Sequence, residues 1–316
     1  MTATIGPEEW LSFLEAEYLN DFIREGGASV KFAVPMDGGL RAEIERGLVL
    51  RARDAGYIVA QVSSAETRIH MIDQVFFKVA EQVRWPQLVE RIITNLAEKA
   101  GYAPPEEGEN ALVDRLAAAN GIGQQMFLSS ARPWIEKGIF HQKRLAKDFR
   151  VAMTHLSLAR LSGGPDGETT TETIIDWLTG RNRAISAVKP YSIFSRVSRN
   201  NARHMLESLL HMVRLAGYPG ILIVLDISRV AVPRNPHDGM VFYTRAAMLD
   251  AYEMLRQFID ATDRMKGALV VVMPDAEFLD GDRGIETYDA LRLRVYDEVR
   301  DSRLVNPMGA LVRLSA

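Results

Sequence analysis

The chain has 316 residues, 47% hydrophobic and 25% charged, with a formal net charge of -3. That length can bury one large α/β core or two smaller ones, and the slight negative balance excludes a global attraction to nucleic acid, leaving only a local patch for such contacts. Cysteine is absent, which excludes a disulfide framework and any thiolate nucleophile or metal site; no apolar run approaches the roughly 20 residues of a membrane span, and the N-terminus lacks the basic and apolar regions of a signal peptide, so a cytoplasmic protein is expected.

Five short segments have strand character: "SVKFAV" (29–34), "YIVAQV" (57–62), "ILIVLD" (221–226), "ALVVVM" (268–273) and "ALVRL" (310–314). Near-continuous apolar runs are how strands buried on both faces of a parallel sheet read. "GGLRAEIERGLVLRARDAGY" between the first two predicts a helix, with Leu40, Ile44, Leu48 and Val49 on one face. From about 68 to 200 strand signal nearly vanishes and helical blocks follow one another, among them "MIDQVFFKVAEQV", "PQLVERIITNLAEKAG" and "HQKRLAKDFRVAMTHLSLARL". This stretch reads as a helical insertion. "VSRNNARHMLESLLHMVRLAGYPG" then predicts a helix with Met205, Leu209, Met212 and Val213 on one stripe, closed by Gly217 and Pro219. "FYTRAAMLDAYEMLRQFIDATDRMKG" and "IETYDALRLRVYDEVRD" predict helices before the fourth and fifth segments. Alternating strands and helices make a parallel α/β core.

The first strand and its sequel, "SVKFAVPMDGGLRAEIERGL", have the strand–loop–helix setting of a phosphate-binding loop, yet no Gly-Lys-Ser/Thr follows. With "IIDWLTG" (174–180), "SRNNARHMLESLLHMVRLAGYPGILIVLD" (198–226) and "ALVVVMPDAEFLDGDRGIETYDALRLRV" (268–295), it resembles the ATP-binding proteins of BREX-type bacteriophage-defence systems, which are AAA+-like P-loop ATPases. The most specific parts are the Gly-Tyr-x-Gly before the third strand and the Arg-Gly-Ile-x-x-Tyr-x-x-Leu after the fourth. The resemblance implies a five-stranded parallel sheet of order 5-1-4-3-2. It also implies the division 1–67 and 201–316 for the two parts of the core, with 68–200 inserted between strands 2 and 3. The chain stops after "ALVRL", so no helical lid is expected, and that lidless face should expose apolar residues.

The nucleotide residues carry over badly. Laying "VPMDGGLRAEI" on the family's loop puts Pro35 at the first glycine, Leu40 at the last, Arg41 on the lysine and Ala42 on the hydroxyl, with Gly38 and Gly39 kept as small residues. Pro35 removes an N–H, Arg41 substitutes a larger planar fork for an ammonium, and Ala42 cannot ligate Mg²⁺. Asp226 ends the third strand where the family helps hold the metal, but the residue after it is Ile227, which cannot activate water. The resemblance therefore implies an AAA+-like component of an anti-phage defence or DNA-modification assembly without catalysis, acting through protein contacts and homo- or hetero-oligomer formation, with no obligatory cofactor and at most residual ATP or ADP binding. One alternative is an active ATPase completed by a partner. Another is a DNA-binding module.

Other signals have bland counterparts. Gly38 and Gly39 also read as a plain strand-to-helix turn, and Asp226 as a strand-end cap. Arg292 and Arg294 fit arginine fingers or a solvated, ion-paired helix face. Lys143, Arg144, Lys147 and Arg150 fit nucleic-acid contact or a solvated helix face, as do Arg196, Arg199, Arg203 and His204. The apolar "MIDQVFFKVAEQV" beside such basic blocks suits a partner surface with a charged rim. The six histidines show no metal-ligand spacing, and no metal site is expected.

Overall fold

The computed structural model describes residues 4–108, 110–296 and 306–316. The chain forms two compact units, one made of Met1–Gln82 with Pro219–Ala316 and the other of Val83–Tyr218. The first unit begins with α1 (Pro7–Leu14), which widens into a π-type segment to Phe22, then β1 (Ser29–Pro35), α2 (Leu40–Asp54), β2 (Ile58–Ser63) and α3 (Ile72–Glu81). The second unit holds α4 (Trp85–Lys99), α5 (Leu112–Ala119), α6 (Gln124–Ile135), α7 (Lys147–Ser162), α8 (Gly164–Thr179), α9 (Ile185–Val188) and α10 (Ala202–Leu215). The chain returns to the first unit with β3 (Ile221–Asp226), α11 (Arg245–Asp260), β4 (Ala268–Met273), α12 (Glu277–Asp280), α13 (Asp289–Val295) and β5 (Leu311–Leu314).

The five strands form one all-parallel sheet in the order β2-β3-β4-β1-β5. That is the expected 5-1-4-3-2 order read from the other edge, with β4 between the P-loop-like strand and the strand that ends in Asp226. Both faces are covered. Trp10, Leu14, Leu19, Ile44 and Leu48 pack with Ala33, Val224 and Val271 into one core cluster, and Phe32 stacks on Phe278 at 5.8 Å. Buried Ile44, Leu48 and Ala52 recur every fourth position along α2, as a helix laid on a sheet requires.

The motifs that carried the resemblance have structural explanations. Gly217 takes φ 80° directly after α10, the left-handed closure that glycine adopts at little cost. A Cβ on Gly220 would lie 1.9 Å from the carbonyl oxygen of Gly267, so only glycine permits that approach at the start of the sheet. Three sequence expectations need correction. The apolar residues of α3, including Val75, Phe76 and Val79, are buried within their own chain, and so are Val312 and Leu314 of β5. Neither set is a free partner surface. "HQKRLAKDFR" is helical only from Lys147; the residues before it form turns, because Leu145 and Ala146 are drawn into the core. The end of the helix expected in "IETYDALRLRVYDEVRD", residues 297–301, lies outside the described residues.

Candidate functional site

The register of the sheet builds the site. Ser63, Asp226 and Met273 are level on β2, β3 and β4, each the last residue of its strand, so a serine, an aspartate and a backbone carbonyl stand side by side at the carboxyl edge. In open α/β sheets this edge is where ligands bind. Arg41, in the first turn of α2, reaches across it. Its Nη1 donates to Asp226 Oδ1 at 2.9 Å and to the Met273 carbonyl at 2.9 Å, while Nη2 donates to the Pro274 carbonyl at 2.8 Å and to Asp275. A planar guanidinium presents several donors in fixed directions, and here four acceptors use them.

Asp226 has further donors of its own. Its Oδ1 also accepts from the Ser228 backbone N–H at 2.9 Å, and its Oδ2 from Ser63 Oγ at 3.0 Å. One turn beyond Arg41, burial lifts the Glu45 carboxyl above its ordinary range; the charge of Asp226 adds to this and Arg41 opposes it. Ile227 is 2% exposed, with its N–H donated to the Met273 carbonyl at 3.0 Å. The position that the resemblance gives to a catalytic base is thus filled by a buried alkyl group.

The loop before α2 is an ordinary turn. Pro35 is buried and pairs with Leu314, and the Met36 N–H bonds the Leu314 carbonyl at 2.8 Å. Gly39 is right-handed at φ -71° and ψ -25°, Gly38 has no positive φ, and a Cβ on either would meet nothing within 4 Å. A phosphate-binding nest needs successive N–H groups turned inward by alternating backbone handedness. No such alternation is present between Pro35 and Leu40.

A magnesium nucleotide, which a fold of this kind implies, does not fit these residues. The cation at the lysine position is held by protein acceptors, the hydroxyl position is an exposed alanine, and the oxygens of Asp226 already have donors. Among the described residues no group of three His, Cys, Asp or Glu could hold a metal ion.

Sequence reasoning missed the residues that complete this arrangement. Ser63 joins through the register, and Asp275 lies in the loop two residues past Met273, the end of β4. Tyr243, fully buried, has its hydroxyl 2.6 Å from the Thr67 carbonyl and accepts from the Ile69 N–H at 3.1 Å; burial pushes its pKa up to about 12. Arg283 donates to the Tyr243 carbonyl at 2.6 Å, and Arg229 holds Asp238 with two bonds of 2.9 Å. Together they fasten the loop after β3. The Arg-Gly-Ile-x-x-Tyr-x-x-Leu motif was the available signal: Arg283 makes that clamp, Ile285 and Leu291 are fully buried, and the Tyr288 hydroxyl donates to Glu253 at 2.6 Å.

The remaining candidates lie elsewhere. Arg292 pairs with Asp289 at 3.1 Å and Arg294 with Asp260 at 2.5 Å, both within their own chain. Lys143, Arg144 and Lys147 are exposed in the helical unit, whereas the Arg150 guanidinium lies over Phe140 at 5.8 Å.

The strand order, with a turn into a helix after β1 and an aspartate at the end of β3, defines an α/β protein built on a five-stranded all-parallel sheet. The sequence matches the family model described as BREX system ATP-binding protein BrxC/D over residues 4–316, and the chain belongs to that family. It is a component of a bacterial phage-defence system made of several proteins. No curated protein and no solved structure matches the chain. Among the described residues no helix is long and apolar enough to cross a membrane.

Proposed function

We propose that this BREX family member is a non-hydrolysing subunit that serves its defence assembly as a protein-binding scaffold. One observation carries the reading: Arg41, which the resemblance lays on the family's nucleotide-sensing cation, locks onto Asp226, Met273, Pro274 and Asp275. In a working P-loop the corresponding cation must be free to meet phosphate, and the aspartate must be free to hold a metal through water. Ala42 and Ile227 remove two further contributors, and losing a single preorganised donor in comparable sites costs on the order of 2.7–4 kcal/mol of transition-state stabilisation. A fold that has lost its chemistry retains its use as a rigid platform for partners.

Two measurements test this together. Phosphate release by the purified protein with Mg²⁺–ATP is expected at background, far below the ~1 s⁻¹ lower end of ordinary turnover. Co-expression with the other proteins of its defence system is expected to yield a complex that survives size-exclusion chromatography. Turnover that disappears in Asp226→Ala, or a chain that stays monomeric beside every one of those proteins, overturns the proposal.

A further inference from the structure

The helical unit differs sharply in charge from the rest of the chain. Val83–Tyr218 carries 18 Lys and Arg against 13 Asp and Glu, a net +5 inside a protein of net -3. The excess is concentrated in two segments. Between Lys137 and Arg160 six Lys and Arg accompany one carboxylate, Asp148, and between Arg181 and Arg203 six accompany none.

The fold brings these segments together. His204 on α10 bonds the Arg144 carbonyl at 2.8 Å, Ser208 accepts from the Ala146 N–H at 2.9 Å, and Asp148 accepts from the Ser195 N–H at 2.9 Å. Asp148 is buried and its Oδ2 also takes the Ser195 hydroxyl. The one acid of the first segment is therefore spent inside the structure. Lys143, Arg144, Lys147, Arg196 and Arg199 are all exposed, and none forms an ion pair among the described residues. Elsewhere in the same unit Arg115, Arg132, Arg160 and Arg181 are paired with carboxylates. Burial and the charges of Arg144, Arg214 and Lys99 push His211 down to about 4, a sign that positive potential accumulates beside this face.

We infer that the face formed by the 143–146 turn, Lys147 at the start of α7 and the 194–199 loop binds the phosphate backbone of a nucleic acid without reading its sequence. Sequence-independent binding of this kind arises from several unpaired Lys and Arg that replace condensed counterions. The surroundings suit it: Gln142, Ser198 and Asn200 interleave the cations, and such side chains supply phosphate contacts. Phe194, 61% exposed beside Ser195, offers a ring to a base or sugar. A protein partner would instead require a broader apolar centre, whereas the exposed apolar side chain among these cations is the single ring of Phe194. This inference does not depend on the nucleotide status of the α/β unit.

The test is fluorescence anisotropy with the full chain and a labelled duplex DNA of random sequence. If four of the five cations meet phosphates, the slope of log affinity against log salt is about -3.6, and a fourfold rise in salt weakens binding ~150-fold. The variant Lys143→Glu/Arg144→Glu/Arg196→Glu/Arg199→Glu should lose at least ~100-fold at low salt, with an unchanged melting temperature. Arg132→Glu/Arg181→Glu, which alters paired cations of the same unit, should keep affinity within about threefold. Absence of binding at about 50 mM salt, or equal loss in both variants, overturns the inference. So does light scattering that shows the four-site variant abolishing self-association while DNA is never bound; a second copy of the chain would then be the occupant.

Discussion

Replacing Arg41 by alanine should destabilise the protein, which would not follow if this cation awaited a phosphate. The side chains of Arg41 and Asp226 are 20% and 19% exposed, so their interaction is only partly screened, and a hydrogen bond between charged groups in such a setting is worth about 1.5–3 kcal/mol. Asp275 is 47% exposed and adds at most ~0.5 kcal/mol. The Met273 and Pro274 carbonyls lose a charged donor but gain water once the guanidinium is gone, for about 1 kcal/mol in total. Asp226 keeps Ser63 and the Ser228 N–H, which softens the penalty of isolating a carboxylate. The expected loss is about 3 kcal/mol, or roughly 6–12 °C in the melting transition of a unit this size. Arg41→Lys should recover part of it, since one ammonium cannot span four acceptors. Urea denaturation provides the assay, and Arg41→Ala combined with Asp226→Asn should show a coupling of about 1–3 kcal/mol. Stability of Arg41→Ala within ~0.5 kcal/mol of the parent would refute the account of Arg41 as a strut.

Gly38→Ala and Gly39→Ala should leave stability unchanged or raise it by about 0.4–1 kcal/mol, because neither position needs positive φ and a Cβ meets nothing there; a loss above ~1 kcal/mol in thermal melts would show that the turn is a strained loop after all. Restoring the acid with Ile227→Glu should cost about 3 kcal/mol at neutral pH and less near pH 4, since the side chain is buried and a carboxylate there has no counterion; a pH-independent cost would contradict this. His211 is held down to about 4, first by burial and then by Arg144, Arg214 and Lys99. A depressed folded pKa contributes stability that is present above the unfolded value and lost as pH falls through the folded one, so stability should fall between about pH 6.5 and 4. His211→Gln should flatten that slope in urea titrations, and a His211 titration near 6.5 by NMR would sink the reasoning.

The sheet was legible because its strands are short apolar runs with few polar interruptions, and the helices because Ile44 with Leu48, or Met205 with Leu209, repeat at helical spacing. Strand order came from the resemblance, since apolar runs carry no information about which strand lies beside which. The lock on Asp226 was not legible. Arg41 and Asp226 are 185 positions apart, and only the register that levels Ser63, Asp226 and Met273 makes one guanidinium span them. Amphipathicity likewise says that a face is buried but not by what, which is why α3 and β5 suggested partner surfaces and proved to be core. The turn at 143–146 was misread as helix because its composition favours one, while burial of Leu145 and Ala146 and the bond from Ala146 to Ser208 decide otherwise. Tertiary contacts overrode local propensity there.

The central proposal is that Arg41 and Asp226 form an internal ion pair where a nucleotide would otherwise be held, and isothermal titration of the purified full chain with Mg²⁺–ATP tests it most directly. The account expects no saturable heat up to about 1 mM nucleotide, corresponding to a binding free energy weaker than about -4 kcal/mol, both in the parent and in Asp226→Ala. A micromolar dissociation constant in the parent that is lost in Asp226→Ala would contradict it, because Asp226 would then be serving a bound nucleotide rather than Arg41.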